Sequence, residues 1–97
     1  MPNTEAASSN RAIITVLGSD RPGIVASVTG ELADREANIL DISQTILQGT
    51  FTMTMLVDLG DSVDFSELKG TFDGLSEKLG VQITLQREEV FRFMYRL

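Results

Sequence analysis

Apolar and polar positions change rhythm several times along this chain, and each change marks an element. Ile13, Ile14, Val16 and Leu17 run almost unbroken within Ala12 to Leu17, as in a strand with both faces covered or half-covered and placed centrally in a sheet. Ile24, Val28 and Leu32, with Val25 beside them, form one stripe at helical spacing, and Asp34, Arg35 and Glu36 end that helix in water. From Asn38 to Gln48 the period falls to two. Leu40, Ile42 and Ile46 point one way, and Asp41, Ser43 and Thr45 the other. Gly49 turns the chain. Phe51, Met53, Met55, Val57 and Leu59 then alternate with Thr50, Thr52, Thr54, Leu56 and Asp58, a hairpin partner with one buried and one threonine-rich face.

Asp64 with Glu67 reads as a capping box opening a second helix, whose Phe65, Leu68, Phe72, Leu75 and Leu79 recur every three or four residues. Gly80 stops it. Gly70 and Gly74 weaken it by up to ~1 kcal/mol each, so packing has to hold it. Val81, Ile83 and Leu85 alternate with Gln82, Thr84 and Gln86 as a last strand. Glu88 to Leu97 predicts a short helix carrying Phe91, Phe93 and Tyr95, too apolar to leave in water. The tail either covers the domain's own core or closes a subunit interface. Phe91, Phe93, Met94 and Tyr95 are the candidate interface residues of a homodimer.

The order β-α-β-β-α-β predicts an α+β, ferredoxin-like sandwich. Right-handed crossovers place both helices on one face of a four-stranded antiparallel sheet, with the short C-terminal helix added. The expected organisation is a small, polar, disordered leader over residues 1–10, one domain over 11–87 and a helical extension over 88–97. A domain this size buries only ~60–65% of its unfolded surface, which favours stabilisation by association.

Composition removes several functions. The net charge of −6 argues against a nucleic-acid partner and an anionic membrane surface. Without histidine or cysteine, the commonest general base, the commonest transition-metal ligands and disulfides are gone, and no serine sits in a nucleophile elbow. The expectation is a non-enzyme with no cofactor and no metal. Lack of cysteine fits a reducing cytoplasm. Asp58, Asp61 and Asp64 around Gly60 read as a solvated acidic loop rather than a cation site. Met53 and Met55 read as core filling.

The remaining chemistry lies in Gly18-Ser19-Asp20-Arg21-Pro22-Gly23-Ile24-Val25, between the first strand and the first helix. A strand that turns through Gly, Asp, Pro and Gly into a helix leaves backbone N–H groups able to hold a small anion or zwitterion.

Ile13-Ile14-Thr15-Val16 leading to Asp20-Arg21-Pro22-Gly23-Ile24-Val25, then Asn38-Ile39-Leu40-Asp41-Ile42-Ser43-Gln44, resembles the ACT domain. With the ending Val90-Phe91-Arg92-Phe93-Met94-Tyr95, the chain is most similar to stand-alone, UPF0237-like ACT proteins of bacteria and archaea. The resemblance implies a regulatory module that binds an amino acid or similar metabolite at a dimer interface. It would act in trans on an enzyme or a transcription regulator. The implied ligand residues are Asp20, Pro22, Gly23, Ile24, Val25, Asn38 and Ile39. In this reading the N–H groups of Gly23, Ile24 and Val25 receive a carboxylate and Asp20 pairs with an ammonium group. Asn38 donates or accepts, and Ile24 and Ile39 form an apolar wall. An alternative stays open: the same residues are ordinary turn-to-helix grammar, and the module serves structure or protein contacts without a ligand.

Overall fold

The computed structural model describes residues 10–19 and 22–95, with only the main chain for 94 and 95. Its elements run β1 (Arg11–Ser19), α1 (Ile24–Asp34), β2 (Asn38–Leu47), β3 (Thr50–Asp58), α2 (Phe65–Leu79), β4 (Gln82–Arg87) and α3 (Glu88–Tyr95). The four strands form one antiparallel sheet in the order β2-β3-β1-β4, the ferredoxin-like α+β arrangement that the hydrophobic rhythm predicts. The expected leader lies outside the described residues, apart from Asn10. That residue belongs to the fold: its carbonyl accepts from Leu59 N–H at 2.9 Å and its side chain donates to the Gly60 carbonyl.

One layer of side chains makes the core. Ala12, Ile14 and Val16 of β1 and Phe51, Met53, Met55 and Val57 of β3 share a face. They pack with Ile24, Val28 and Leu32 of α1 and Leu68 and Phe72 of α2. Met53 and Met55 are fully buried, as core filling requires.

The helix ends show where local chemistry departs from the simplest pattern. α1 ends with Glu36 in the left-handed region (φ 59), Ala37 N–H on the Leu32 carbonyl and Glu36 N–H on the Ala33 carbonyl. This is a Schellman ending built without glycine. At the start of α2, Asp64 accepts from Ser66 N–H at 3.0 Å. Glu67 does not complete the capping box. Its carboxylate takes two hydrogen bonds from the Arg35 guanidinium, at 3.1 and 2.8 Å, because a bidentate charge-assisted pair is stronger than one neutral N–H. Arg35 therefore does not end α1 in water. It clamps α1 to α2, also donating to Glu31 and Thr71.

Gly18 lies within β1, not in the turn after it. A Cβ at this position would stand 2.7 Å from Val81 Cγ1, so only glycine allows this approach.

Candidate functional site

The turn from β1 to α1 has the geometry expected of a receptive helix start. Gly23 is the N-cap residue in the left-handed region (φ 90), which a side chain adopts only at a cost. Pro22 and Gly23 are exposed, and a Cβ at Gly23 would meet nothing within 4 Å. The first helical bond runs from Ser27 N–H to the Gly23 carbonyl at 2.9 Å. The N–H groups of Ile24, Val25 and Ala26 thus precede the helical ladder. No side chain among the described residues caps them, so they form the positive end of the helix dipole. Asp20, the expected ammonium partner, lies outside the described residues.

Two of the predicted roles need correction. Ile24 is only 2% exposed, and its side chain belongs to the core rather than to a ligand wall. The first residue of a helix laid on a sheet points inward, leaving only its N–H for a ligand. Val25 is half-buried and packs on the same core. The larger correction concerns Asn38 and Ile39. Asn38 pairs with Asp58, which pairs with Arg11 at the start of β1, whereas Ser19 at the end of β1 pairs with Thr50, next to Leu47. Eight strand steps of ~3.3 Å separate these rows, about 26 Å. Gly23 and Asn38 therefore stand at opposite ends of the sheet, and one chain does not bring them together.

β2 differs from the sequence expectation in another way. It is the edge strand, and all ten of its residues are exposed. A register shift between Ile39 and Asp41 sets Ile39, Ile42 and Ile46 on the helix-bearing face, opposite Val57, Met55 and Phe51. Simple alternation does not give this set, because the bulge reverses the parity of the strand. Its outer main-chain groups have no partner strand among the described residues, and Ile42 and Ile46 are 39% and 58% exposed. The strand carries one charge, Asp41. A long, apolar edge of this kind pairs readily with another strand. Strand order alone assigns β2 to the edge, so this feature was available from topology.

α3 lies on the opposite face of the sheet. Phe91 is half-buried and lines a groove on that face with Thr15, Leu17, Gln82, Thr84 and Gln86. Phe93 is 74% exposed. The side chains of Met94 and Tyr95 lie outside the described residues. Asp58 and Asp64 are occupied in capping Gly60 N–H and Ser66 N–H at 3.0 Å. Among the described residues no group of three His, Cys, Asp or Glu is placed to hold a metal ion, and no helix is long and apolar enough to cross a membrane.

Comparison with known proteins agrees with this architecture. The model of the ACT domain family matches residues 10–86. A UPF0237 protein of Methanocaldococcus jannaschii is 47% identical over 89 residues, covering 91% of this chain and 99% of the relative. One from Listeria innocua is 47% identical over 88 residues, covering 90% and 99%. Among solved structures, an ACT domain protein from Streptococcus pneumoniae superposes with a TM-score of 0.74 at 43% identity, covering 84% of this chain and 92% of that one. A protein assigned as a glycine cleavage system transcriptional repressor superposes with a TM-score of 0.72 at 26% identity, over 79% of this chain and 44% of that one.

Proposed function

This chain belongs to the ACT domain family, and from that premise we propose that it is a non-catalytic regulatory module of the cytoplasm. It binds an amino acid or similar small metabolite between two copies of itself and acts in trans on an enzyme or transcription regulator. The observation that carries the reading is that Gly23 and Asn38 stand at opposite ends of a sheet whose edge strand, β2, has no partner on its outer side among the described residues. A two-fold axis near the middle of β2 pairs the strand antiparallel with its copy. Such pairing lays the Asn38 end of one copy beside the Leu47–Thr50 end of the other, which is the end where Ser19 and Gly23 lie. The two halves of the expected ligand site then meet across the seam, twice per dimer. The helix start supplies N–H groups for a carboxylate, and Asn38 supplies an amide for the ligand's remaining polar groups.

The same pairing accounts for the exposed apolar residues. Fully burying an isoleucine contributes ~1.5–3 kcal/mol, so covering what remains exposed of Ile39, Ile42 and Ile46 contributes about 2–4 kcal/mol per chain. The second reading, an ACT module serving protein contacts alone, draws on the burial of Ile24, which leaves the turn self-explanatory as a strand-to-helix junction.

Thermal unfolding in the presence of each standard amino acid at millimolar concentration separates the two. A ligand at ten times its Kd adds about 1.4 kcal/mol and raises Tm by ~5–10 °C for a domain of this size. A rise abolished by Asn38→Ala supports the regulatory reading. No rise with any of them leaves the contact-only module.

A further inference from the structure

The face of the sheet away from α1 and α2 presents its residues in rows. The register aligns Asp41, Leu56, Ile13 and Gln86 in one row, and Ser43, Thr54, Thr15 and Thr84 in the next. α3 crosses this face and divides it. Phe91 lines a groove of about 200 Å³ on the β1–β4 side, while Arg92 borders one of about 220 Å³ on the β2–β3 side. Ile13 and Leu56 supply an apolar floor, Ser43 and Thr54 hydroxyl groups, and Asp41 the far rim. Sites for drug-sized ligands occupy ~300–1,000 Å³, so a groove this small admits only a compact metabolite.

Charge narrows the chemistry further. Arg92 Nε donates to Oε2 of Glu88 at 2.9 Å, and Nη2 pairs with the same oxygen at 2.8 Å. The other oxygen of Glu88 faces Arg11 Nε at 3.2 Å, without hydrogen-bond geometry. One carboxylate thus serves two guanidinium groups, and Glu88 by itself does not balance both. The Arg92 side chain stays 66% exposed. Asp41 is also held in place, because one of its carboxylate oxygens accepts Ile42 N–H at 2.9 Å. Its carboxylate has no cationic partner among the described residues. A cation and an anion therefore border one small groove, each fixed by its own neighbours and not joined to the other.

We propose that this groove is a second small-molecule site, separate from the β1–α1 turn, for a zwitterion that bridges Arg92 and Asp41. The ligand's carboxylate meets the guanidinium, its ammonium group meets Asp41, its carbon skeleton lies on Ile13 and Leu56, and the Ser43 and Thr54 hydroxyls take remaining polar atoms. Because Asp41 belongs to β2 and Arg92 to α3, the occupant ties the appended helix to the edge strand.

The test is an amide-shift titration of the full chain with glycine, β-alanine, γ-aminobutyrate and 5-aminovalerate, with acetate and ethylammonium as single-charge controls. The series reads the spacing between the two charges. The expected result is saturable shifts at Asp41, Ser43, Thr54, Leu56 and Arg92 with at least one zwitterion, and binding about tenfold weaker for both controls. Asp41→Asn, which keeps an oxygen for Ile42 N–H, and Arg92→Gln should each weaken that binding about tenfold. The proposal is overturned if no member of the series saturates, if acetate binds as tightly as any zwitterion, or if both variants bind undiminished. Shifts confined to Gly23–Val25 and Asn38–Ile39 also overturn it, while leaving the composite site at the dimer seam in place.

Discussion

Replacing Ile42 with lysine tests the proposed dimer where it is most sensitive. Ile42 faces the helix-bearing side near the middle of β2 and is 39% exposed in the single chain. In a dimer paired through β2, two copies of this residue approach the two-fold axis. Losing what remains to be buried of two isoleucines removes about 1–2 kcal/mol. Two ammonium groups ~8 Å apart at an effective dielectric constant of ~20 repel by about 2 kcal/mol. The loss of roughly 3–4 kcal/mol weakens dimerisation several-hundredfold. The folded single chain hardly changes, because lysine on an exposed edge strand is a common natural device. Sedimentation velocity over a concentration series reads the dissociation constant, and thermal unfolding of the dilute protein checks the fold. If Ile42→Lys leaves the mass at two chains while Phe93→Ser halves it, β2 is not the seam. The dimer is then carried by the exposed side of α3, which the sequence had marked through Phe91, Phe93, Met94 and Tyr95.

Three further perturbations probe the fold. Gly18→Ala should destabilise the protein by ~1–3 kcal/mol, measured by urea unfolding, because the new methyl enters the Val81 side chain at 2.7 Å. Arg35 hydrogen bonds hold the Glu67 carboxyl below its usual range. The stability this pair contributes is therefore complete above the unfolded carboxyl value of ~4.3 and is lost as pH falls through the lower folded value. Arg35→Met should flatten that acid limb in a Tm-versus-pH profile, with no change in the slope above it. Phe91→Ala removes a half-buried ring of α3 from beside Thr15 and Leu17. It should lower stability by ~1–2 kcal/mol, less than a fully buried phenylalanine would cost.

The fold was legible because its residues agree across levels. Met53 and Met55 alternate with threonines on a strand that is buried on one face only, and the α2 stripe from Phe65 to Leu79 has the period of its helix. The site was legible only in part. Gly23 could be assigned because a left-handed turn into a helix has a narrow sequence signature. Placing Asn38 and Ile39 beside it failed for a topological reason. A helix crossing the sheet returns the chain to the opposite end, so residues just before and just after α1 cannot meet within one chain. The bulge between Ile39 and Asp41 left no mark in the hydrophobic pattern, and periodicity therefore grouped Leu40 with Ile42 instead of Ile39. Long-range ion pairs such as Arg35 with Glu67 and Arg11 with Glu88 have no local signature, since their partners lie on different elements.

The central claim is that the ligand site is built from two chains, and subunit mixing tests it directly. Gly23→Ala strains the left-handed turn (φ 90) that presents the α1 N–H groups, and Asn38→Ala removes the amide from the other end. Each variant alone should bind none of the amino acid that most stabilises the wild-type protein. Unfolded together in equal amounts and refolded, they form mixed dimers in which one seam joins an intact Gly23 to an intact Asn38. Calorimetry should then recover about one quarter of the wild-type site count at wild-type affinity, from statistical pairing of the chains. A mixture that binds no better than its two parents would contradict a site shared across the β2 seam.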